Sequence, residues 1–234
     1  MILDNDAIEN SKKGDNGEEK VSLVLHTKDN DNNHRYIGNY MYKDDYGNTH
    51  QIDHIEIRKN GIFCIETKNY SGVIFGNENS EKWIQYLNNK KNYFLNPIKQ
   101  NKSHVKCLER LLDNKYKINS IIVFVQNNAD KIKIDNVINL NILSNYISKF
   151  DNSTNLTDEE IQNIMNTLLL KMSNVKLKEH INNIESNSRL VANNICPRCK
   201  MGTIILKTGS YGLFYGCTNY PKCKFTKKAN IKIN

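Results

Sequence analysis

The sequence lacks any apolar run long enough to cross a membrane as a helix, which requires about 20 such residues. Its first 16 residues are polar and carry both charge signs, unlike a secretory signal or a transit peptide. We therefore expect a cytoplasmic protein, without membrane contact, whose thiols stay reduced. The length of 234 residues suits one medium domain and a small appendage.

Acidic residues are also missing from the C-terminal fifth of the chain. Residues 187–234 contain nine Lys and Arg but no Asp or Glu, whereas residues 1–186 contain 24 basic and 25 acidic residues. The whole positive excess of +8 therefore lies at one end. This asymmetry indicates either a polyanion-binding appendage or a solubilising tail, and charge alone does not decide between them.

Four of the six cysteines lie in this basic segment at a spacing typical of a zinc site. A CxxC pair supplies two ligands from one turn, and a hairpin expected around residues 209–212 returns the third to it. A module this small needs the metal to fold. Disulfides are disfavoured by the compartment, and a redox CxxC by the two further cysteines. The predicted zinc ligands are Cys196, Cys199, Cys217 and Cys223.

Aromatic and basic residues alternate through the same segment. Aromatic rings stack on unpaired bases while cations follow the phosphates, although some of these rings could instead form the small core of the module. The expected DNA contacts are Arg198, Lys200, Lys207, Tyr211, Phe214, Tyr215, Tyr220, Lys222 and Lys224.

Three charged residues close an otherwise apolar pair of strands in the first half of the chain. With Asn60-Gly61 as a two-residue turn, Asp53 lies opposite Lys68 and diagonal to Glu66, all on one face of the sheet. Two carboxylates at this separation suit Mg²⁺ or Mn²⁺, with the ammonium beside them. The alternative is a salt-bridged strand end in solvent, because so short a motif recurs by chance.

The remaining pattern predicts an α/β fold with a mixed sheet flanked by helices. Asn96-Pro97 starts a helix on which Gln100 and His104 lie one turn apart, and either side chain could face a substrate. A solvated helix face is the favoured interpretation for His104. His54 should point away from Asp53 and serve in packing or at the surface.

The motifs QIDHI (51–55), IETKN (65–69) and NPIKQ (96–100) resemble the nuclease-related domain, NERD, over residues 15–125. That family is placed with the PD-(D/E)XK restriction-endonuclease-like fold. The resemblance implies a metal-dependent phosphodiesterase in which Asp53 and Glu66 bind metal and Lys68 assists catalysis. It also implies a metal ligand in the backbone carbonyl of Thr67, and it matches Glu18 to an early helix glutamate. Gln100 follows from the same pattern.

The segment CPRCKMGTIILKTGSYGLFYGCTNYPKC (196–223) resembles the four-cysteine zinc finger of bacterial type IA topoisomerases. The resemblance implies DNA binding, chiefly to single strands. It does not imply topoisomerase activity, because the rest of the chain is too short for that enzyme's body and offers no context for its tyrosine nucleophile.

We therefore expect a disordered N-terminus (1–14), a nuclease-like domain (15–181, core 15–125), a linker (182–193) and a zinc-ribbon-like finger (194–230). The leading hypothesis is a Mg²⁺- or Mn²⁺-dependent deoxyribonuclease, a hydrolase whose zinc module holds single-stranded or locally unpaired DNA. One alternative is a non-catalytic DNA-binding adaptor with a degenerate nuclease fold. Another is a regulatory protein whose basic module binds RNA.

Overall fold

The computed structural model describes residues 5–27, 34–44, 46–150, 154–172, 177–209 and 212–229. The chain divides into two compact units, the first made of Met1–Tyr40 with Gln51–Met172 and the second of Met41–His50 with Ser173–Asn234. Each helix in these ranges is too short or too polar to cross a membrane.

Six consecutive strands separate the first two helices, and three further strands follow the last helix. In chain order the elements are α1 (Asn5–Thr27), β1 (Arg35–Lys43), β2 (Thr49–Arg58), β3 (Gly61–Lys68), β4 (Val73–Phe75), β5 (Lys82–Leu87), β6 (Lys90–Leu95), α2 (Pro97–Leu111), β7 (Ile118–Phe124), β8 (Val137–Asn139), α3 (Leu143–Ser148), α4 (Asp158–Lys171), α5 (Leu177–Ala192), β9 (Ile204–Gly209), β10 (Gly212–Cys217) and β11 (Thr226–Lys228).

The central sheet has the strand order β1-β2-β3-β7-β8, with β2 and β3 antiparallel and β3, β7 and β8 parallel. Phe63 and Ile65 lie on the face that α1 and α3 cover. On the opposite face Phe124 stacks on Trp83 of a second sheet, β4-β5-β6, at 6.2 Å between ring centroids. The predicted mixed sheet flanked by helices is confirmed.

The start of α2 is fixed by one buried side chain. Asn96 accepts a hydrogen bond from the backbone N–H of Ile98, as the sequence predicts for a helix cap. Its amide also donates to the backbone carbonyls of Asn77, Glu78 and Ser80. Asn96 therefore ties the β4–β5 loop to the helix that carries Gln100.

The β2–β3 turn differs from the sequence prediction. Lys59 and Asn60 form the turn and Arg58 pairs with Gly61, which shifts the expected register by two residues. Gly61 opens β3 with a φ of 145°, a conformation that favours glycine. The Asn60 amide is used in a long-range contact, since it donates to the carbonyl oxygens of Ile147 and Phe150. These hydrogen bonds hold Asn60 at the second position of the turn, whereas the sequence predicted it at the first.

The shifted register corrects which charged residues are neighbours. His54 pairs with Ile65, so Asp53 lies across from Glu66 and not from Lys68. Because side chains alternate with a period of two, a shift of two residues leaves each of them on its predicted face. Asp53, Glu66 and Lys68 therefore still share one side of the sheet.

Helix α1 begins at Asn5, so the expected disorder over residues 1–14 does not hold from that residue onward. The first four residues lie outside the described ranges. Extending an existing helix costs much less than starting one, so the amphipathic turns that contain Val21 and Leu25 can propagate towards the N-terminus.

Helix α5 runs through the segment expected to be a linker, residues 182–193, and belongs to the second unit. Polar residues that looked like linker composition form one contacting face. Asn183 accepts from the backbone N–H of Thr49, and Asn187 donates to Asn48. Val191 packs against the cysteine cluster.

Replacing Asn96 by Ala should lower the free energy of unfolding by about 2–4 kcal/mol, because the cap and three further hydrogen bonds disappear together. Asn96→Ser keeps a capping oxygen and should recover about 1 kcal/mol. Urea denaturation followed by the fluorescence of Trp83, the sole tryptophan, measures both changes. An unchanged midpoint in the Ala variant would contradict the role of Asn96.

Candidate active site and metal centre

The four predicted cysteines converge in the second unit. Their sulfur atoms all lie within 4.8 Å of one another, with Cys196 Sγ 3.7 Å from Cys223 Sγ and Cys199 Sγ 3.6 Å from Cys217 Sγ. Sulfurs bonded to one tetrahedral zinc at about 2.3 Å lie about 3.8 Å apart, whereas a disulfide needs about 2.05 Å. The donor set and its spacing therefore fit a structural zinc ion.

Backbone N–H groups surround these sulfurs. Gly202 donates to Cys199 Sγ at 3.4 Å, and Asn219 donates to Cys217 Sγ at 3.3 Å. Burial acts to raise the pKa of Cys199, but hydrogen bonds from the backbone of Met201 and Gly202 outweigh it and lower this pKa to about 6. At Cys199 the knuckle thus favours the thiolate that a metal ligand must be, whereas burial raises the pKa of Cys196 to about 12.

The predicted hairpin is present, and β11 extends it to a three-stranded sheet. Phe225 packs against the cysteine cluster and so belongs to the small core. Lys207 is partly used by the fold, because its Nζ donates to the carbonyl of Cys217 at 2.9 Å. Tyr211 lies outside the described residues. The predicted DNA contacts that are exposed are Arg198, Lys200, Tyr215, Tyr220, Lys222 and Lys224.

In the first unit, β2 and β3 bring together the three charged residues. The backbone N–H of Thr67 donates to Asp53 Oδ2 at 2.8 Å, and Lys68 Nζ donates to Glu66 Oε1 at 2.5 Å. Glu66 is buried, while Asp53 and Lys68 are half-buried. A salt-bridged strand end in open solvent is therefore excluded.

Burial and neighbouring charges shift the titration of this group. Burial, followed by the charge of Glu66, raises the pKa of Asp53 to about 7. Burial likewise raises the pKa of Glu66. For Lys68, burial alone would lower the pKa, but the charge of Glu66 and the hydrogen bond to it raise the pKa. The site holds two acidic groups that share one ammonium.

Helix α2 adds two side chains to the same place. Lys68 Nζ donates to Gln100 Oε1 at 3.3 Å, and His104 Nε2 lies 3.8 Å from Glu66 Oε2. His104 is buried, so the solvated helix face favoured for it from the sequence is wrong. Its position four residues after Gln100 is the signal that places both on one helix face.

Glu18 reaches the site through α1. A Cβ on Gly17 would lie 2.8 Å from the Cβ of Asn69, so glycine allows the helix to approach the end of β3 closely. The negative charge of Glu18 is one of the influences that raise the pKa of Glu66. The predicted early glutamate is thus within electrostatic reach of Glu66.

Behind the site, His54 points to the opposite face of the sheet, as expected, but it is fully buried. Its Nε2 lies 3.0 Å from Thr67 Oγ1 and its Nδ1 lies 2.7 Å from the Tyr36 hydroxyl. Burial lowers the pKa of His54 to about 4, which keeps the ring neutral. His54 therefore holds Thr67, whose N–H binds Asp53. Sequence reasoning missed Tyr36, because no local pattern links β1 to this site.

Comparison with known proteins supports two modules. A model of the nuclease-related domain matches residues 13–125, and a model of the topoisomerase DNA binding C4 zinc finger matches residues 193–232. An uncharacterized protein of Bacillus anthracis is 35% identical over 67% of this chain and 76% of its own length. The chain therefore belongs to the family of nuclease-related domain proteins, and it carries a topoisomerase-type zinc finger.

The chain is also similar to short parts of much longer proteins. DNA topoisomerase 1 of Methanocaldococcus jannaschii is 60% identical over 16% of this chain, which is 5% of that protein. DNA topoisomerase 1 of Rickettsia typhi is 31% identical over 44% of this chain, which is 12% of that protein. No solved structure matches the chain. The similarity is thus confined to a small part of each topoisomerase.

Asp53→Asn should stabilise the chain when no Mg²⁺ or Mn²⁺ is added. The pKa of Asp53 is about 7 in the folded state, against about 3.9 in an unfolded chain. Below about pH 4 both states are protonated, so the substitution changes little there. Above pH 7 the folded state must hold the buried charge, and removing it should raise the free energy of unfolding by roughly 1–3 kcal/mol.

Denaturant titrations at acidic and alkaline pH test this dependence. Asp113→Asn is the matched control, because Asp113 is exposed and has a φ of 57° that Asn tolerates. If Asp53→Asn raised the free energy of unfolding equally at both pH values, or lowered it above neutral pH, the ionised Asp53 would not be destabilising in the folded state.

Gly202→Ala should weaken zinc binding. A Cβ at this position would lie 2.4 Å from Cys217 Sγ, so the sulfur must move. We expect zinc affinity to fall about 10–100-fold, the range seen when groups behind metal ligands are changed. Competition with a zinc-sensitive dye measures this affinity. Met201→Ala, whose side chain is 82% exposed, should leave it unchanged, and equal affinities in the two variants would refute the assignment.

Proposed function

We propose that this chain is a Mg²⁺- or Mn²⁺-dependent deoxyribonuclease of the PD-(D/E)XK type, a cytoplasmic hydrolase whose zinc finger holds the DNA. The proposal rests on one observation: buried Glu66 and half-buried Asp53 lie side by side with the ammonium of Lys68. Two carboxylates that are shielded from water need a cation to offset their charge. The match to the nuclease-related domain agrees with a divalent ion in that role.

Asp53 and Glu66 would hold the divalent ion, together with the backbone carbonyl of Thr67. The fit is chemical, because carboxylate and carbonyl oxygens are the ligands that Mg²⁺ prefers. Burial raises the pKa of both carboxyls, and the charge of Glu66 raises that of Asp53 further, so a cation would favour their ionised forms. A bound ion polarises the scissile phosphate and lowers the pKa of a nearby water. Glu18 adds negative charge from the α1 side.

Lys68 would act on the phosphate directly. Its raised pKa keeps it protonated, and Gln100 Oε1 holds its Nζ from the helix side. A protonated amine placed beside the carboxylates orients the attacking water and offsets charge that develops on the phosphate oxygens. Gln100 would position Lys68 and so support this function from α2.

The zinc finger would supply strand binding. Tyr215 and Tyr220 are exposed, and basic side chains such as Arg198, Lys222 and Lys224 are exposed with them. Rings that stack on bases and cations that follow phosphates suit a single-stranded or locally unpaired region of DNA. The zinc finger would bind DNA whether or not Asp53 and Glu66 support cleavage of the strand.

A DNA-binding adaptor without turnover is the second candidate. It is favoured by the composition of the carboxylate site, where Lys68 already engages one oxygen of Glu66. Among the described residues, only the four cysteines form a group of three or more His, Cys, Asp or Glu side chains close enough to enclose an ion. A site with two carboxylates holds a divalent ion more weakly than a larger cluster does.

Cleavage of plasmid and single-stranded DNA with Mg²⁺ or Mn²⁺ tests the proposal. Glu66→Gln should lower the cleavage rate by at least about 100-fold, because a metal ligand is lost while DNA binding persists. Glu159→Gln, an exposed residue in the first turn of α4, is the matched control and should cleave normally. Binding without cleavage by the wild type would establish the adaptor instead.

A further inference from the structure

The second sheet, β4-β5-β6, has one face directed into solvent. Strand register places Phe75 beside Ile84 and Tyr93, and it places Tyr86 beside Lys91. Tyr93 is 58% exposed. We call this outer face the aromatic platform; its members are Val73, Phe75, Lys82, Ile84, Tyr86, Lys91, Tyr93 and Leu95.

The rings of the platform are close together and flanked by cations. Phe75 and Tyr86 are 5.7 Å apart between ring centroids. Lys91 Nζ lies 5.2 Å from the ring centroid of Tyr93 and 5.9 Å from that of Tyr86, and Lys131 Nζ lies 5.3 Å from that of Phe75. No Asp or Glu occurs in the three strands. Exposed rings among lysines, on strands that contain no acidic residue, complement a polyanion that carries aromatic bases.

The strands that carry the platform are joined along the chain, at both ends, to segments of the candidate active site. The chain passes from Lys68 through Tyr70 into β4, and the Tyr70 ring lies 4.4 Å from that of Phe94 on the inner face of β6. At its other end β6 leads through Asn96 into α2, which carries Gln100 beside Lys68. The second sheet is thus inserted between two parts of the same site.

We propose that the aromatic platform is a second nucleic-acid-binding surface, on which an unpaired strand stacks its bases against Tyr86 and Tyr93 while Lys82, Lys91 and Lys131 contact its phosphates. The surface reads no sequence, because every base offers a ring face. This proposal concerns binding and stands independently of turnover at Glu66 and of binding by the zinc finger.

The test measures binding of the full chain to a short fluorescein-labelled oligothymidylate, by anisotropy without added Mg²⁺ or Mn²⁺. Tyr86→Leu combined with Tyr93→Leu keeps apolar area but removes the rings, and Kd should rise at least about tenfold. Tyr86→Phe combined with Tyr93→Phe keeps the rings and should bind like the wild type. Leu170→Ala, which removes an apolar side chain that is 87% exposed elsewhere, should also bind normally.

Two further measurements separate the platform from other binding surfaces. Lys91→Ala should lower the slope of log Kd against log salt by about one. Lys117→Ala, which changes an exposed lysine just before β7, should lower it less. Photocrosslinking with bromodeoxyuridine should mark peptides that contain Tyr86 or Tyr93. Wild-type affinity in the double Leu variant, or crosslinks found solely in the zinc finger, would overturn the proposal. Either outcome would favour contact with another protein as the role of the aromatic platform.

Discussion

The structure around the candidate site depends on holding two acidic side chains next to each other where little water reaches them. Asp53 and Glu66 occupy facing positions of β2 and β3. Burial raises the pKa of both, and the charge of Glu66 raises that of Asp53 further. Lys68 compensates one charge, which leaves room for a further cation near neutral pH. Such an arrangement is unfavourable for folding and suited to binding a divalent ion, and sites of this kind concentrate where function resides.

Other residues of the first unit position these side chains. His54 holds Thr67 from behind, and the Thr67 N–H in turn fixes Asp53. Helix α2, capped by Asn96, brings Gln100 to Lys68. In the second unit a metal ion would take the place of such packing. A module with so small a core relies on metal bound by its four thiolates for stability. The chain thus combines a preformed carboxylate site with a zinc-dependent binding module.

Much of this was accessible from the sequence. The cysteine spacing predicted the zinc set, and strand alternation predicted that three charges share a face. That second prediction survived a wrong turn assignment because a shift of two residues preserves the face. The burial of His104 and the contact between Tyr36 and His54 depend on packing between distant elements, which no local pattern encodes. Strand β6 was also not predicted, and with it the aromatic platform.

Binding of Mn²⁺ to the full chain, followed by electron paramagnetic resonance, tests the central claim most directly. A compensating cation predicts one Mn²⁺ site per chain that is lost when Asp53 and Glu66 are both replaced by their amides. Because Asp53 must lose its proton near pH 7, this affinity should rise as the pH increases through neutrality. Absence of a Mn²⁺ site, or equal binding by the doubly amidated variant, would contradict the account.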